Sequence, residues 1–330
     1  MRPDFKTLLP EIWLTRDWRS NFLLPFTWVY GALVHLRRTA YRLGLMPTEQ
    51  MPVPVVVIGN AVAGGGGKTP LAMAIVKHLQ SAGWRVGVIS RGYGRDSQEV
   101  HEVRPGDAPE LAGDEPLMIR NRCQAPVFVA AQRVQAAKAL LHAYPQIQII
   151  VCDDGLQHYA LQRDLEICAM DSRGIGNGRL LPAGPLREPW PRAVDLLIHT
   201  GQRSLPEGFT ATRQLTHTLN AQGENKSIQD LAGQAVNAVA AIAQPQAFFD
   251  MLSANGIQLA QTFALPDHDS FAHWSPPSDA LPLLCTEKDA HKLWPHCPQA
   301  LAVPLAFEPE DAFWQALDAR LQALHRRMPR

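Results

Sequence analysis

A glycine-rich turn between an apolar run and a helical stretch constrains the fold of this chain more than any other feature. Residues 53–58 are continuously apolar, as expected for a strand that is buried on both faces of a sheet. Four successive glycines follow at residues 64–67, and the pattern then predicts a helix over residues 69–82. Such glycines let backbone N–H groups turn inward around phosphate oxygens, and the N-terminus of the helix adds positive partial charge. The pattern therefore predicts a phosphate-binding loop, or P-loop.

The loop matches the strict P-loop pattern G-x-x-x-x-G-K-[ST] except at its first position, where Val62 replaces glycine. Lys68 is expected to reach the β- and γ-phosphates of ATP, and the hydroxyl of Thr69 is expected to bind Mg²⁺. The residues predicted to bind the nucleotide are Val62, Ala63, Gly64, Gly65, Gly66, Gly67, Lys68 and Thr69.

Two adjacent acids follow a second apolar run. Residues 147–152 are strand-like, and Asp153 and Asp154 come directly after them. Ligands gather at the carboxyl ends of the strands in an open parallel sheet, so we expect these carboxylates near the P-loop. One of them is expected to hold Mg²⁺, directly or through water, as in a Walker B element.

Strand-like and helical runs alternate over most of the chain. This alternation predicts right-handed βαβ units, and hence an α/β fold of the P-loop NTPase type with a mostly parallel sheet and helices on both of its faces. Residues 201–232 are polar and are expected to form an irregular connection to a second, smaller α/β lobe. The predicted domains are an N-terminal amphipathic, membrane-surface helical segment (1–45), a P-loop core (46–200) and a C-terminal lobe (201–330).

The N-terminal segment differs in composition from the rest. No charged residue occurs between Arg19 and Arg37, but this run is shorter than the about 20 apolar residues of a spanning helix, and Pro25 interrupts it. Its tryptophans and flanking arginines suit the membrane–water interface, so we expect a helix lying in the membrane surface. A signal peptide, a spanning helix and a helix packed on its own domain remain alternatives.

Three further motifs lie in connections between the expected elements. Residues 90–95 place two arginines and two glycines after a strand, which suits an anionic group on a substrate. Residues 113–116 (Gly-Asp-Glu-Pro) supply a second acid pair, which alone reads equally well as a helix cap. Residues 176–189 form a long Gly/Pro-rich segment whose interleaved apolar residues indicate an ordered, functional loop.

Taken together, these motifs resemble those of one family, the tetraacyldisaccharide 4′-kinases of lipid A biosynthesis. The resemblance covers nearly the whole chain and includes the sequences Pro-Asp-His at 266–268 and Thr-Glu-Lys-Asp at 286–289. It implies phosphoryl transfer from ATP, with Mg²⁺, to the 4′-hydroxyl of a tetraacylated glucosamine disaccharide 1-phosphate, forming lipid IVA. It also implies a peripheral enzyme on the cytoplasmic face of a bacterial inner membrane, and we expect a monomer.

The resemblance also implies roles for single residues. Asp114 would be the general base, paired with His268, while Lys68 and Mg²⁺ would stabilise charge on the phosphates. We expect Asp114 and His268 on different lobes, so that closure completes the site. The implied metal ligands are Thr69, Asp153, Asp154 and Glu188. The expected substrate contacts are Arg91, Tyr93, Arg133, Gln157, His158 and Arg187.

Composition narrows the range of partners. Lys plus Arg and Asp plus Glu each total 31, and this balance disfavours a nucleic acid partner. The 5 cysteines include no C-x-x-C pair, as in a reducing compartment. The alternative functions are a P-loop GTPase or metallochaperone and a non-catalytic membrane-bound ATPase. The GTPase is disfavoured because Glu287 stands where a guanine-reading N/T-K-x-D motif has lysine.

Overall fold

The structure, a computed structural model, describes residues 11–327. Arg2, Asp4 and Lys6 of the expected N-terminal segment lie outside the described residues. The α-helices are α1 (Trp18–Phe22), α2 (Leu24–Arg42), α3 (Lys68–Ser81), α4 (Pro109–Ala112), α5 (Asp114–Cys123), α6 (Arg133–Ala143), α7 (Pro245–Ala254), α8 (Glu287–Leu293) and α9 (Asp311–Arg327). The strands are β1 (Val55–Gly59), β2 (Val86–Ser90), β3 (His101–Val103), β4 (Val127–Val129), β5 (Ile149–Cys152), β6 (Leu165–Met170), β7 (Leu196–His199), β8 (Phe209–Leu215), β9 (His217–Leu219), β10 (Asn225–Ser227), β11 (Ala235–Ala240), β12 (Gln258–Ala264), β13 (Leu283–Thr286), β14 (Leu301–Val303) and β15 (Leu305–Pro309).

The chain divides into two compact units, each built from separate stretches of sequence. The first unit comprises the chain up to Arg91, then Gln132–Thr212, and then the part from Pro309 onward. The second unit comprises Gly92–Ala131 and Arg213–Glu308. This grouping differs from the expected linear division at residue 200, because the chain leaves the first unit after Arg91, returns at Gln132, leaves again after Thr212 and returns at Pro309. In the first unit, α9 is held by Trp314, which stacks on His78 of α3 at 4.3 Å.

The first unit is built on parallel strands in the order β8-β7-β6-β1-β5-β2. All five residues of β1 are buried, as its run of β-branched side chains predicted. In the register, Val57 lies opposite Cys152 of β5. The carboxyl ends of β1 and β5 therefore meet, and the loop after β1 lies beside the acids after β5. The expected mostly parallel α/β sheet is confirmed.

The second unit contains strands in the order β10-β9-β14-β13-β11-β12. The pairs among β14, β13, β11 and β12 are parallel, and β9 runs antiparallel to its neighbours. Phe248, Phe249 and Leu252 of α7 pack into its apolar core. The excursion 92–131 adds an antiparallel β3–β4 pair and the helices α4 and α5.

Residues 201–232 were expected to be irregular, and that prediction is wrong. They contain β8, β9 and β10. Their exposed positions carry Thr, Gln, Asn and Lys, while Ala211, Leu215 and Thr218 are buried. Short strands with one polar face lack the continuous apolar pattern of a central parallel strand, so the apolar criterion missed them.

The described part of the N-terminal segment contains α1 and α2, which belong to the first unit. Within residues 11–327, no helix combines the length and the apolarity that crossing a bilayer requires. Asp17 caps α1 by accepting a hydrogen bond from the backbone N–H of Ser20, and Pro25 lies in the first turn of α2, where proline is tolerated.

Candidate active site

The P-loop is anchored through its carbonyl groups. The carbonyls of Gly64, Gly65 and Gly66 accept hydrogen bonds in turn from Asn60 Nδ2 (3.1 Å), Arg173 Nη2 (3.2 Å) and Thr200 Oγ1 (3.0 Å). In a planar trans peptide the N–H points opposite to the C=O. Holding three consecutive carbonyls on the protein therefore directs the next three amides, those of residues 65–67, away from these anchors. This is the arrangement that an anion-binding backbone requires.

Glycine is needed at particular points of this loop. Gly64 has φ +86° and Gly67 has φ +73°, in the left-handed region that side chains other than glycine rarely adopt. Gly66 has no room for a side chain, because an added Cβ would lie 2.8 Å from Asn60 Nδ2. The loop geometry therefore fits the close approach of phosphate oxygens to the backbone.

The absence of glycine at position 62 has a structural explanation. Val62 is buried and forms an antiparallel bridge with Leu186, and the adjacent amide of Ala63 donates to the Pro185 carbonyl at 2.7 Å. Residue 62 therefore makes a strand-like contact with residues 185–187, and a β-branched side chain such as valine suits that conformation. The Ala63 amide is therefore bound within the protein and is not directed at a phosphate.

Lys68 and Thr69 open α3 and face the two acids that follow β5. Lys68 Nζ lies 3.3 Å from Asp154 Oδ1 and 3.3 Å from Asn60 Oδ1. The Thr69 hydroxyl donates to Asp153 Oδ2 at 3.4 Å. The structure thus brings together the lysine, the hydroxyl and both carboxylates that the sequence placed at this sheet edge.

The charge state of Asp154 is set by competing effects. Burial raises the pKa of its carboxyl, but the cations of Lys68 and Arg187 outweigh burial and hold that pKa below its usual value. Asp154 is therefore ionised at neutral pH. It adopts φ +49°, a conformation that Asp tolerates better than most residues.

Three of the expected substrate-contact residues surround Asp154. Arg187 Nη1 lies 3.0 Å from Asp154 Oδ1 and 3.3 Å from Gln157 Oε1. The buried Arg133 donates from Nη2 to the Asp154 carbonyl at 3.3 Å. Gln157 Nε2 in turn donates to the Asn60 carbonyl at 3.3 Å, which links this group to the start of the P-loop.

His158 lies in the same positively charged environment and is uncharged. Burial, followed by the charges of Arg133 and Arg91, lowers the pKa of His158 to about 3. At neutral pH its imidazole can therefore exchange hydrogen bonds with a substrate but does not contribute a charge.

Glu188 is held by other partners. Its buried carboxylate accepts from the Tyr159 hydroxyl at 2.6 Å and pairs with Arg192 Nη1 at 2.7 Å. Burial and the Glu188 carboxylate raise the pKa of Tyr159, so the phenol keeps its proton and donates it. The structure therefore brings Thr69, Asp153 and Asp154 together but engages Glu188 in a separate ion pair.

The donor chemistry around Thr69 suits Mg²⁺, which prefers hydroxyl, carboxylate and phosphate oxygens. Across residues 11–327, no group of three or more His, Cys, Asp or Glu side chains forms a cage for a metal. Mg²⁺ in phosphoryl-transfer sites is held by one or two protein oxygens plus the phosphates, so the Thr69–Asp153 pair fits that use.

The second unit holds the other expected pair. Asp114 opens α5, and its Oδ2 lies 3.0 Å from His268 Nδ1 and 2.9 Å from Lys292 Nζ. Both Asp114 and His268 belong to this unit, so the expectation that they lie on different lobes is wrong. The reason is that residues 92–131, which carry Asp114, associate with the C-terminal part of the chain.

Burial raises the pKa of Asp114, but the hydrogen bond from His268 and the charge of Lys292 outweigh it and leave the pKa below its usual value. The carboxylate is therefore ionised and able to accept a proton. His268 itself has φ +65°, a rarely populated conformation for this residue type, and its ring lies 5.0 Å from that of Tyr93. Such strain is concentrated at functional sites.

Two glycines bring the motif at residues 90–95 next to Asp114. Gly113 has φ +85°, and a Cβ added to it would lie 3.0 Å from the Cα of Gly92 and 3.2 Å from the Tyr93 carbonyl. Only glycine permits this approach of the two backbones. The close contact explains how Tyr93 reaches the His268 ring.

Within residues 286–289, Thr286 and Asp289 have a structural role. The Asp289 Oδ2 accepts from the Thr286 hydroxyl at 2.6 Å and from the Ala241 N–H at 2.9 Å. Thr286 in turn caps α8 by accepting from the Asp289 N–H. Asp289 is fully buried, and these bonds join it to its own chain. An aspartate that reads guanine bonds the base instead.

Sequence reasoning missed several participants. Asn60 lies four residues before Gly64 and bonds both the Gly64 carbonyl and Lys68. Lys292 contacts Asp114 and lies four residues after Lys288 on α8, a helix that the sequence pattern did not predict. Arg173 and Thr200 follow strands β6 and β7 and carried no local motif.

The helices α1 and α2 expose a continuous apolar stripe. Phe22, Phe26, Val29, Leu33 and Leu36 recur at helical spacing and are between 61% and 73% exposed. Trp18 and Trp28 are exposed as well. Contiguous exposed apolar surfaces are common at interaction sites.

The opposite face of α2 is bound to residues 180–187. The Tyr30 hydroxyl donates to the Arg187 carbonyl at 2.9 Å, and the Ala183 N–H donates to the Thr27 hydroxyl at 3.0 Å. Gly31 allows close contact, since a Cβ there would lie 3.1 Å from Leu180 Cδ1. The segment that pairs with the P-loop is therefore also attached to α2.

Comparisons with known proteins agree with this geometry. Residues 19–322 match the family model described as tetraacyldisaccharide-1-P 4′-kinase. A relative from Acidovorax ebreus, named tetraacyldisaccharide 4′-kinase, is 54% identical over 318 residues, which cover 94% of each chain. A relative of the same name from Polaromonas naphthalenivorans is 53% identical over 336 residues, covering 98% of this chain and 97% of its own.

A solved structure has the same fold. The crystal structure of LpxK from Aquifex aeolicus in complex with ATP superposes with a TM-score of 0.80 at 28% sequence identity. The match covers 91% of this chain and 99% of that one.

Proposed function

This chain belongs to the tetraacyldisaccharide-1-P 4′-kinase family, and we propose that it transfers the γ-phosphoryl group of ATP to the 4′-hydroxyl of a tetraacylated glucosamine disaccharide 1-phosphate. The chain is a kinase, and ATP is its phosphoryl donor. The observation that carries the proposal is the convergence of Lys68, Thr69, Asp153 and Asp154 on an anchored glycine loop.

On the donor side, the amides of residues 65–67 would bind phosphate oxygens. The Lys68 ammonium group, which contacts Asp154, would also contact the γ-phosphate. Thr69 and Asp153 would hold Mg²⁺, which when bound neutralises charge on the phosphates. Arg173 and Thr200 would keep the loop in place through its carbonyls. These groups stabilise charge that develops on the transferred phosphoryl group, which is the main protein contribution in this class of reaction.

On the acceptor side, Asp114 would accept the proton of the 4′-hydroxyl. The hydroxyl oxygen forms a bond to the γ-phosphorus, the bond from that phosphorus to the β,γ-bridging oxygen breaks, and ADP leaves with its electron pair. His268 donates a hydrogen bond to Asp114 and orients it.

The sugar and its anionic 1-phosphate would be contacted by Arg91, Arg133 and Arg187 together with the neutral His158. Gln157 and Tyr93 would complete these contacts.

The apolar stripe of α1 and α2 would enter the membrane interface, where the acyl chains of the substrate lie. Its exposed tryptophans and neighbouring arginines match the chemistry of anionic headgroups. The protein would thus act as a peripheral monomer at the cytoplasmic face of a bacterial inner membrane. Truncation of α1 and α2 should abolish sedimentation with vesicles of anionic phospholipid.

The activity is tested by incubating the protein with γ-labelled ATP and the tetraacyl disaccharide 1-phosphate in detergent micelles. Label should appear in the lipid, depend on added Mg²⁺ and be lost with Lys68→Ala. A preference for GTP would favour a P-loop GTPase or metallochaperone. ATP hydrolysis without any labelled lipid would favour a non-catalytic membrane-bound ATPase.

A further inference from the structure

The Asp114 carboxylate is bound asymmetrically. His268 Nδ1 at 3.0 Å and Lys292 Nζ at 2.9 Å both contact the same oxygen, Oδ2. The other oxygen, Oδ1, takes part in neither contact. A carboxylate pinned through one oxygen by two donors has a fixed plane, so its second oxygen points in one defined direction.

Lys292 is built into this centre. It is buried, its side chain is only 6% exposed, and the Asp114 side chain beside it is 8% exposed. An ammonium group is removed from water only where it is paired, and the partner here is Asp114. Lys292 therefore differs from the solvated lysines of a helix surface.

Lys288 lies one turn earlier on the same face of α8 and contacts the far side of the imidazole. Its Nζ is 3.3 Å from His268 Nε2 and 3.2 Å from Asp267 Oδ1. An ammonium group can only donate, so Nε2 must be the acceptor and the ring proton must lie on Nδ1. The neutral Nδ1–H tautomer is the one that donates to Asp114.

We propose that Lys292 is a positioning residue that holds Oδ2 of Asp114 together with His268 so that Oδ1 receives the acceptor proton, while Lys288 selects the Nδ1–H tautomer of His268. This inference rests on the proposed function, because it assigns parts to the base of that reaction. In loose phosphoryl-transfer transition states, positioning contributes more than the strength of the base. Lys292 can therefore increase the reaction rate by fixing the direction of Asp114, even though its charge makes Asp114 a weaker base.

Several charged or titratable groups surround Asp114 or its direct partners. They are Asp267 and His268 after β12, Lys288, His291 and Lys292 on α8, and Glu115 on α5. Burial lowers the pKa of His291 and favours its neutral form, whereas the neighbouring acids outweigh burial and raise the pKa of Lys288, which keeps its charge. Because His268 is present in every variant, the pH profile of each variant is compared with that of wild type.

The test compares Lys292→Met with wild type in lipid phosphorylation as a function of pH. Loss of the ammonium raises the pKa of Asp114, so the midpoint of the acidic limb of kcat/KM should move up by about one to three pH units. At pH 7.5, kcat should fall about 10- to 100-fold because the carboxylate loses its fixed direction, with KM for ATP changed less than about threefold. Lys292→Arg retains the charge and should keep the wild-type limb.

A double-mutant cycle tests whether Lys292 acts through Asp114. Asp114→Asn should lower kcat about 10²- to 10⁴-fold, and adding Lys292→Met should then change it by less than about threefold. Lys226→Met removes an exposed lysine from β10 of the same unit and should leave rate and pH profile unchanged. If Lys292→Met does not fold, as judged by its melting transition, Lys292→Gln replaces it and should shift the same limb.

The outcomes separate two failures. If Asp114→Asn turns over like wild type, the base assignment in the proposed function is wrong. If Asp114→Asn is inactive while Lys292→Met keeps the wild-type kcat and pH profile, or if their effects multiply in full, only the positioning role of Lys292 is overturned.

Discussion

The apolar stripe on α2 permits a quantitative prediction. Phe26 and Leu33 are 62% and 61% exposed, so replacing both with glutamine removes few contacts within the folded protein. Glutamine also keeps a good helix propensity. If these side chains enter the membrane interface, each contributes about 1.5–3 kcal/mol when fully buried.

Because an interfacial helix buries its side chains only in part, the lower end of that range applies. The double variant should then lose about 3 kcal/mol of membrane binding, which is about a 100-fold drop in vesicle partitioning. Co-sedimentation with vesicles rich in phosphatidylglycerol measures this, with the melting temperature as a check on folding.

The matched control is Leu111→Gln, which alters a leucine of α4 that is 44% exposed. Its partitioning should equal that of wild type. Partitioning of the double variant within about twofold of wild type would refute the assignment of this stripe to the membrane.

Three further predictions concern the first unit. Lys68→Ala should lower phosphoryl transfer at least about 100-fold by removing a charge from the phosphates, and turnover within tenfold of wild type would contradict this. The pKa of His158 is about 3 when folded and 6.5 when unfolded, so the unfolded state takes up the proton first and stability falls as pH decreases from 6.5 towards 3, by up to about 1.4 kcal/mol per pH unit. Urea unfolding of His158→Gln should show a flatter dependence between pH 7 and pH 5, and an unchanged slope would argue against the buried neutral imidazole. Tyr30→Phe removes the hydroxyl bound to the Arg187 carbonyl and should cost about 0.5–1.5 kcal/mol in urea unfolding, whereas an unaltered midpoint would show that the bond contributes nothing.

The features that the sequence predicted are those with a local cause. The P-loop depends on consecutive residues, and the acids after β5 depend on the alignment of parallel strand ends. Lys68 and Asp154 therefore meet as expected, and the α/β class and the family resemblance are confirmed. The individual functional roles of these residues remain predictions.

Features that depend on distant parts of the chain could not be read from the pattern. The association of residues 92–131 with residues 213–308 has no local signal, and it places Asp114 and His268 in one unit. Likewise, Glu188 resembled a metal ligand by motif, but its contacts with Tyr159 and Arg192 arise only in the folded chain. The strands within residues 201–232 were missed because one face of each is polar.

The most direct test of the account is to determine where phosphate is added to the lipid. The protein is incubated with ATP, Mg²⁺ and the tetraacyl disaccharide 1-phosphate, and the recovered lipid is analysed by mass spectrometry and phosphorus NMR. We expect one new phosphate monoester at the 4′-oxygen with wild type and none with Lys68→Ala. Lipid recovered without added phosphate after incubation with folded protein, or phosphate at another oxygen, would contradict this expectation.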